Sequence, residues 1–268
     1  MVWDGYVKPF RMFGNLYFVG TEPASTHLID TGDGLMIIDT GYQHSLYQVI
    51  NNIWELGFSP YDIKYLIHTH GHIDHFGGTR ALVELTGAKT VIGKSDYDNC
   101  TGANDLSFAR ELGMEFRETF TPDITVEDGD IISLGNTSIR CVSTPGHTPG
   151  AMSFFFDVTD GNETFRAGLH GGMGINTMGA DYLDKYRLSY DCRDNFLKAM
   201  DRLNEEEVDI FLGNHMQHNN TLLKRERVLA GDKYAFVDKN EWRPFNEFCK
   251  RNLLNMIEEE NKTQKNGK

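Results

Sequence analysis

The chain has 268 residues, 40% hydrophobic and 24% charged, the balance of a folded globular protein long enough to bury a substantial core. Its 26 Lys and Arg against 39 Asp and Glu give a net charge of −13, so it gains no affinity for a phosphate backbone from counterion release and no nucleic-acid partner is expected. No apolar run is long enough to span a bilayer, so no membrane partner is expected either.

The opening stretch from Met1 to Phe10 lacks the basic region and apolar segment of a secretory signal. The expectation is a cytoplasmic protein, or a periplasmic or secreted one if a leader has been trimmed. Cys100, Cys141, Cys192 and Cys249 stand far apart with no paired spacing, and are expected to be free thiols.

In chain order, short β-branched or aromatic runs at Leu16–Gly20, Thr26–Asp30 and Leu35–Asp39 predict a β-meander, with hairpin-turn chemistry at Thr31–Gly34. Leu46, Val49, Ile50, Ile53 and Trp54 recur at helical spacing from Ser45 to Leu56, before the stop signal of Gly57. Ile63–Ile67 is an apolar strand that runs into a histidine-rich loop. A helix follows Gly77-Gly78, and a strand follows at Lys89–Ile92. Residues 95–123 are polar and mixed, with one or two short helices expected. Strands are predicted at Gly129–Ile132, Thr137–Ser143, Ala151–Phe156 and Val208–Leu212, with a helix from Asp191 to Leu203. Two helical patterns close the chain before a polar tail, Lys262–Lys268, expected to fray. Without a linker or repeat, this strand–helix alternation predicts one α/β layered domain over residues 1–268.

The chemistry concentrates in His68-Thr69-His70-Gly71-His72-Ile73-Asp74-His75-Phe76-Gly77-Gly78. Neutral imidazole is the commonest protein ligand for zinc, and a carboxylate can complete such a site. A lone histidine is usually a surface or core residue, and a histidine tag is terminal and uninterrupted; this run is internal, with Asp and Gly interleaved. His70 and His72, two residues apart, project to one side of an extended segment, and Asp74 and His75 follow where the chain turns helical. His147, held between Pro145-Gly146 and Thr148-Pro149-Gly150, is placed as a preorganised ligand. His215 follows the strand Val208–Leu212 at its carboxyl end, where ligand sites in α/β sheets gather. It is favoured over His218, three residues on.

Thr69–His75, the downstream Thr144–Gly150 and the early Asp39-Thr40-Gly41 together resemble the metallo-β-lactamase superfamily, from about Phe10 to about Phe245. The resemblance implies a four-layer αβ/βα sandwich with two zinc ions at one edge of its sheets. It would assign His70, His72 and His147 to the first zinc and Asp74, His75 and His215 to the second, with Asp39 orienting a ligand from behind. Many members carry an Asp bridging both metals; Phe165–Gly172 has no carboxylate, nor the Cys of the commonest class B β-lactamases. In this the chain is similar to the third subclass of those enzymes, as are its Pro9–Gly20 and Tyr234–Asp238 segments.

The implied function is a zinc-dependent hydrolase directing a metal-bound hydroxide at a cyclic amide, with Asp74 also orienting the nucleophile and a small molecule as substrate. The alternatives are a same-fold hydrolase of a lactone, ester or thioester, and a metal-binding or sensing module without turnover. A redox role, as in the diiron relatives, fits less well, since their extra carboxylates and flavin domain are not visible. The loop from His170 to Met178 offers His170, Asn176 and Thr177 as polar side chains toward substrate, and Met173 and Met178 as an adaptable apolar wall. His170 either touches a metal-bound water or packs within the loop.

Overall fold

Most strands are buried on both faces, which demands cover on each side of a sheet. The computed structural model, which describes residues 4–104 and 106–266, meets that demand with two sheets packed face to face and helices outside them. The first three residues of the stretch read for a leader and the last two of the expected tail lie outside the described residues.

The first sheet holds β1 (Phe10–Phe13), β2 (Leu16–Phe18), β3 (His27–Asp30), β4 (Leu35–Ile38), β5 (Ile63–Ile67), β6 (Lys89–Gly93) and β7 (Ile124–Val126), side by side in chain order. It is antiparallel as far as β4 and parallel from β4 to β7. Parallel neighbours need crossovers, supplied by α1 (Leu46–Glu55), α2 (Ile73–Phe76) with α3 (Thr79–Thr86), and α4 (Tyr97–Thr101) with the loop after it. The second sheet runs β12-β11-β10-β9-β8, from β8 (Ile131–Leu134), β9 (Thr137–Ser143), β10 (Met152–Thr159), β11 (Thr164–Leu169) and β12 (Ile210–Leu212). Its one parallel pair, β11 with β12, is bridged by α5 (Ala180–Tyr186) and α6 (Asp191–Leu203). After β12 come α7 (Thr221–Leu229) and α8 (Trp242–Asn266).

The period of two along each strand sorts side chains into layers. Met36 and Ile38 of β4, and Phe154 and Phe156 of β10, meet in the core between the sheets. Ile37 turns out against Val49 and Ile53 of α1, and Phe155 turns out into the core under α6 and α8, its ring 5.7 Å from Trp242. The result is the expected four-layer αβ/βα sandwich. Truncating one of these phenylalanines to alanine is expected to destabilise by about 3–5 kcal/mol, the usual range for a buried aromatic ring.

Three strands escaped the sequence reading: β1, β7 and β11. Thr164–Leu169 mixes Thr, Arg and Gly and lacks an apolar pattern, yet pairs with β10 over six registered positions. The tail is also corrected. Helix α8 continues to Asn266, with Lys262 paired to Glu258 one turn back, so the described part of the polar end is helical. All four cysteines are free, as expected. No described helix is long and apolar enough to cross a membrane.

Candidate metal centre

The carboxyl ends of β4, β5 and β12 and the turn between β9 and β10 meet at one edge of the sandwich, bringing Asp39, His70, His72, Asp74, His75, His147 and His215 together from four chain segments. His70 and His72 leave β5 on an extended segment, and His72 then begins α2, whose first turn carries Asp74 and His75. The ligand atoms of His70, His72 and His147 lie within 4.8 Å of one another, as do those of His70, Asp74 and His75. The rings of His70, His72 and His147 form a triangle with centroids 4.6–4.8 Å apart. His215 stands on the open side, its Nε2 3.5 Å from Asp74 Oδ2 and its side chain 26% exposed. His218 sits behind it, between the His215 and Phe245 rings, so the geometry favours His215 as the inward group.

The imidazoles are aimed by their outer nitrogens. Thr69 Oγ1 donates to Asp39 Oδ2 (2.7 Å) and therefore accepts from His70 Nδ1 (3.1 Å), leaving Nε2 facing inward. His147 Nδ1 donates to the Gly174 carbonyl (2.7 Å) and His215 Nδ1 to the Pro23 carbonyl (2.8 Å). His75 Nδ1 donates to Asp39 Oδ2 (2.7 Å), while its Nε2 lies 3.2 Å from Asp74 Oδ2. Asp39 also accepts from the Thr69 N–H (2.8 Å) and has a left-handed backbone (φ +57°), a conformation that turns its carboxylate back under the end of β5. Outer hydrogen bonds of this kind fix ring orientation and tautomer at metal sites.

Charge is arranged unevenly. Burial, then neighbouring rings, holds His70 and His72 well below the ordinary imidazole value, and burial lowers His147 to about 4. Burial also opposes charge on His75, but Asp74 and Asp39 outweigh it and raise that ring to about 10. Burial works against ionisation of Asp74, yet His75, then His72 and His215, hold it far below the usual carboxylate range. One buried atom bears on what the cluster can hold. His70 Nε2, at its centre, has no hydrogen-bond partner in the protein. An uncharged nitrogen donor left orphaned among three other imidazoles and a carboxylate fits a bound cation.

The remaining expectations divide. Asn176 lines the cavity of about 200 Å³ over the cluster, together with Tyr42, Phe108, Leu112, Met173 and Asn214. Thr177 acts from behind, donating to the His147 carbonyl (2.6 Å). Of the two readings of His170, the structure shows the packed one, with the ring turned away from the cluster. It is fully buried toward the outer helices, with Nδ1 accepting from the Gly172 N–H, Nε2 3.3 Å from Met200 Sδ, and Trp242 and Phe245 beside its ring. Met178 likewise belongs to that outer core rather than to a wall of the site. His68 also turns away, bonded to the Val91 carbonyl and Thr79.

Two contributors were not foreseen. Asp96 is completely buried and ties the ligand loops together, accepting from the Gly71 N–H (2.8 Å), Thr148 Oγ1 (2.6 Å) and the Gly150 N–H (2.7 Å). Nothing local marks it, since its partners lie 25 to 54 residues away. Asn214 is buried in the cavity wall, and neither polar atom of its amide has a protein partner. Gly172 and Gly174 are required by close approach: a Cβ would stand 2.6 Å and 2.9 Å from atoms of the His147 ring.

Residues 19–160 match the model of the metallo-beta-lactamase superfamily. The chain belongs to that superfamily. The superfamily fold accounts for both sheets: a subclass B3 metallo-beta-lactamase of Bradyrhizobium japonicum superposes with a TM-score of 0.84 at 25% identity, covering 98% of each chain. Among curated relatives, a hydroxyacylglutathione hydrolase of Maricaulis maris is 34% identical over 106 residues, which is 40% of this chain and 33% of that protein. An N-acyl homoserine lactonase of Bacillus thuringiensis is 24% identical over 160 residues, 50% of this chain and 58% of that protein. The match thus spans between a third and three fifths of these relatives.

Proposed function

We propose that this superfamily member is a zinc-dependent hydrolase of a small carbonyl compound, with a cyclic amide as its first candidate substrate. The orphaned, inward-facing His70 Nε2 within the His72–His147 triangle carries the reading. Three neutral imidazoles would hold one zinc, and Asp74, His75 and His215 a second, a nitrogen-rich set with one carboxylate that suits this metal. Bound there, the metals would supply Lewis-acid polarisation of the carbonyl and a water of lowered pKa.

The chain's own groups do the rest. Asp74, kept ionised by the imidazoles around it, only accepts hydrogen bonds, so it orients a water with its proton toward the carboxylate and a lone pair toward the substrate. Asn214, in the cavity wall, has both polar atoms of its amide buried and without a protein partner. Tyr42, Phe108, Leu112 and Met173 exclude bulk water around them. The overall reaction adds water across the acyl bond, leaving a carboxylic acid and placing a proton on the departing nitrogen, oxygen or sulfur.

A lactone, ester or thioester is the second reading, and one observation favours it. Among the described residues, no lysine or arginine lines the cavity, so no fixed cation awaits a substrate carboxylate. Zinc-loaded protein assayed against a chromogenic cephalosporin, a γ-lactone and a thioester separates the readings. Chelator-sensitive turnover of any one supports the hydrolase; two bound zincs with no turnover of all three would leave only a binding module.

A further inference from the structure

A second cavity, of about 340 Å³, adjoins the first and shares with it the side chains of His72 and His147. Its wall is mostly apolar, with Leu106, Pro145, Tyr182, Leu183 and Leu188, and the buried polar side chains of Asn99, Thr148 and Thr177 also line it. Its rim is exposed and polar, at Ser189, Asp191 and Asn195 beside the start of α6. Phe108 marks the divide between the two cavities. It lines the metal cavity, its ring lies 5.2 Å from His72 and 6.0 Å from Tyr182, and its backbone is left-handed (φ +66°). That conformation is strained for a bulky side chain, and such strain gathers at ligand clamps.

We infer that this second cavity seats an unbranched, uncharged acyl chain of the substrate, with the scissile carbonyl at the histidine cluster. The inference rests on the hydrolase reading and adds its substrate class. Continuity through His72 and His147 sets the direction, since a group held over those rings can extend past Phe108 and Tyr182 toward the polar rim. No lysine or arginine lines this cavity among the described residues, so an anionic substituent finds no partner there. At about 30 Å³ for a water-sized group, the volume has room for a chain of at most about eleven carbons. Leu183 is fully buried at its base, and Leu188 is half-buried toward the rim.

Cys192 provides a reporter. It lines the cavity and is half-buried, whereas Cys100, Cys141 and Cys249 are buried. The experiment is alkylation of Cys192 by N-ethylmaleimide in the zinc-loaded full chain, followed by peptide mass spectrometry with octanoate or acetate present. Octanoate, the product of a medium-chain substrate, slows alkylation about tenfold at ten times its dissociation constant, and acetate at the same concentration does not. With nitrophenyl esters, kcat/KM climbs roughly two- to fourfold per methylene from acetate to octanoate, then levels off or falls. Leu188→Trp abolishes both the protection and the chain-length dependence, and Leu106→Trp serves should the first variant fail to fold. Hydrolysis with a flat chain-length profile and an unprotected Cys192 would overturn the inference and leave the hydrolase standing. Protection by octanoate without hydrolysis of any ester, cephalosporin, γ-lactone or thioester would uphold the cavity and overturn the hydrolase.

Discussion

The His70–His72–His147 triangle and the Asp74–His75–His215 group lie side by side yet are built on different principles. The first is uncharged: three buried imidazoles, each kept neutral, with His70 and His147 braced by Thr69 and the Gly174 carbonyl. The second is organised by carboxylates, with His75 held between Asp39 and Asp74 and a partly exposed His215 at the margin. A neutral, closed set binds a cation without competition from its own protons near neutral pH. A set that keeps a proton on His75 must release it first, so its affinity depends more strongly on pH. The first group is therefore expected to load first and to hold its metal longer.

His70→Ala breaks the comparison most severely, because it removes the unpartnered nitrogen at the centre of the cluster, within 4.8 Å of ligand atoms of His72 and His147 and of Asp74 and His75. Metal analysis after dialysis should find neither site filled, and turnover should fall by about a thousandfold or more, the equivalent of several kcal/mol of lost metal catalysis. Asp74→Asn attacks the second group alone. Bound zinc is expected to drop from two per chain to one with turnover cut heavily; unchanged turnover would sink the orienting role given to this carboxylate.

Two braces sharpen the contrast more gently. Asp39→Asn weakens the support under His75, and metal affinity or activity should drop about 10- to 100-fold, as for other groups that orient ligands. Asp96→Ala leaves the Gly71 and Gly150 N–H groups without their acceptor. A urea titration should register a loss of about 1–3 kcal/mol for each group left unsatisfied.

The smallest effect concerns histidines outside both groups. Burial lowers His170 to about 3 and His27 to about 4, so the folded protein keeps them neutral where the unfolded chain protonates them. Unfolding then takes up protons, and stability falls as pH drops from 6.5 toward 4. Replacing His170 by Gln should remove roughly 2 kcal/mol of that decline between pH 6.5 and 5, at about 1.4 kcal/mol per unit. An unchanged slope would show that His170 does not contribute.

Much of this was legible in the chain, for reasons that differ by residue. His70, His72, Asp74 and His75 could be read because one strand end and one helical turn carry them all, so local geometry does the assembling. The four layers followed from β-branched runs alternating with helical periods. His170 was left open between the site and the loop because it, too, follows a strand and precedes glycines. Its orientation depends on the pairing of β11 with β10 and β12, which no local pattern in Thr164–Leu169 announces. Asp96 and Asn214 were illegible for a related reason: one joins segments far apart in the chain, and the other matters through partners it lacks. The second cavity arises only where α5 and α6 pack beside the His147 turn.

The most direct test of a two-metal hydrolytic centre is a zinc titration of the chelated full chain. Bound metal and hydrolysis of a chromogenic cephalosporin and an octanoyl ester are followed in the same samples. The predicted result is no turnover without metal, a first zinc bound tightly, and turnover rising to its full value as the second zinc binds. Turnover that persists in the chelated protein, or binding that saturates at two zincs with neither substrate cleaved, would contradict it.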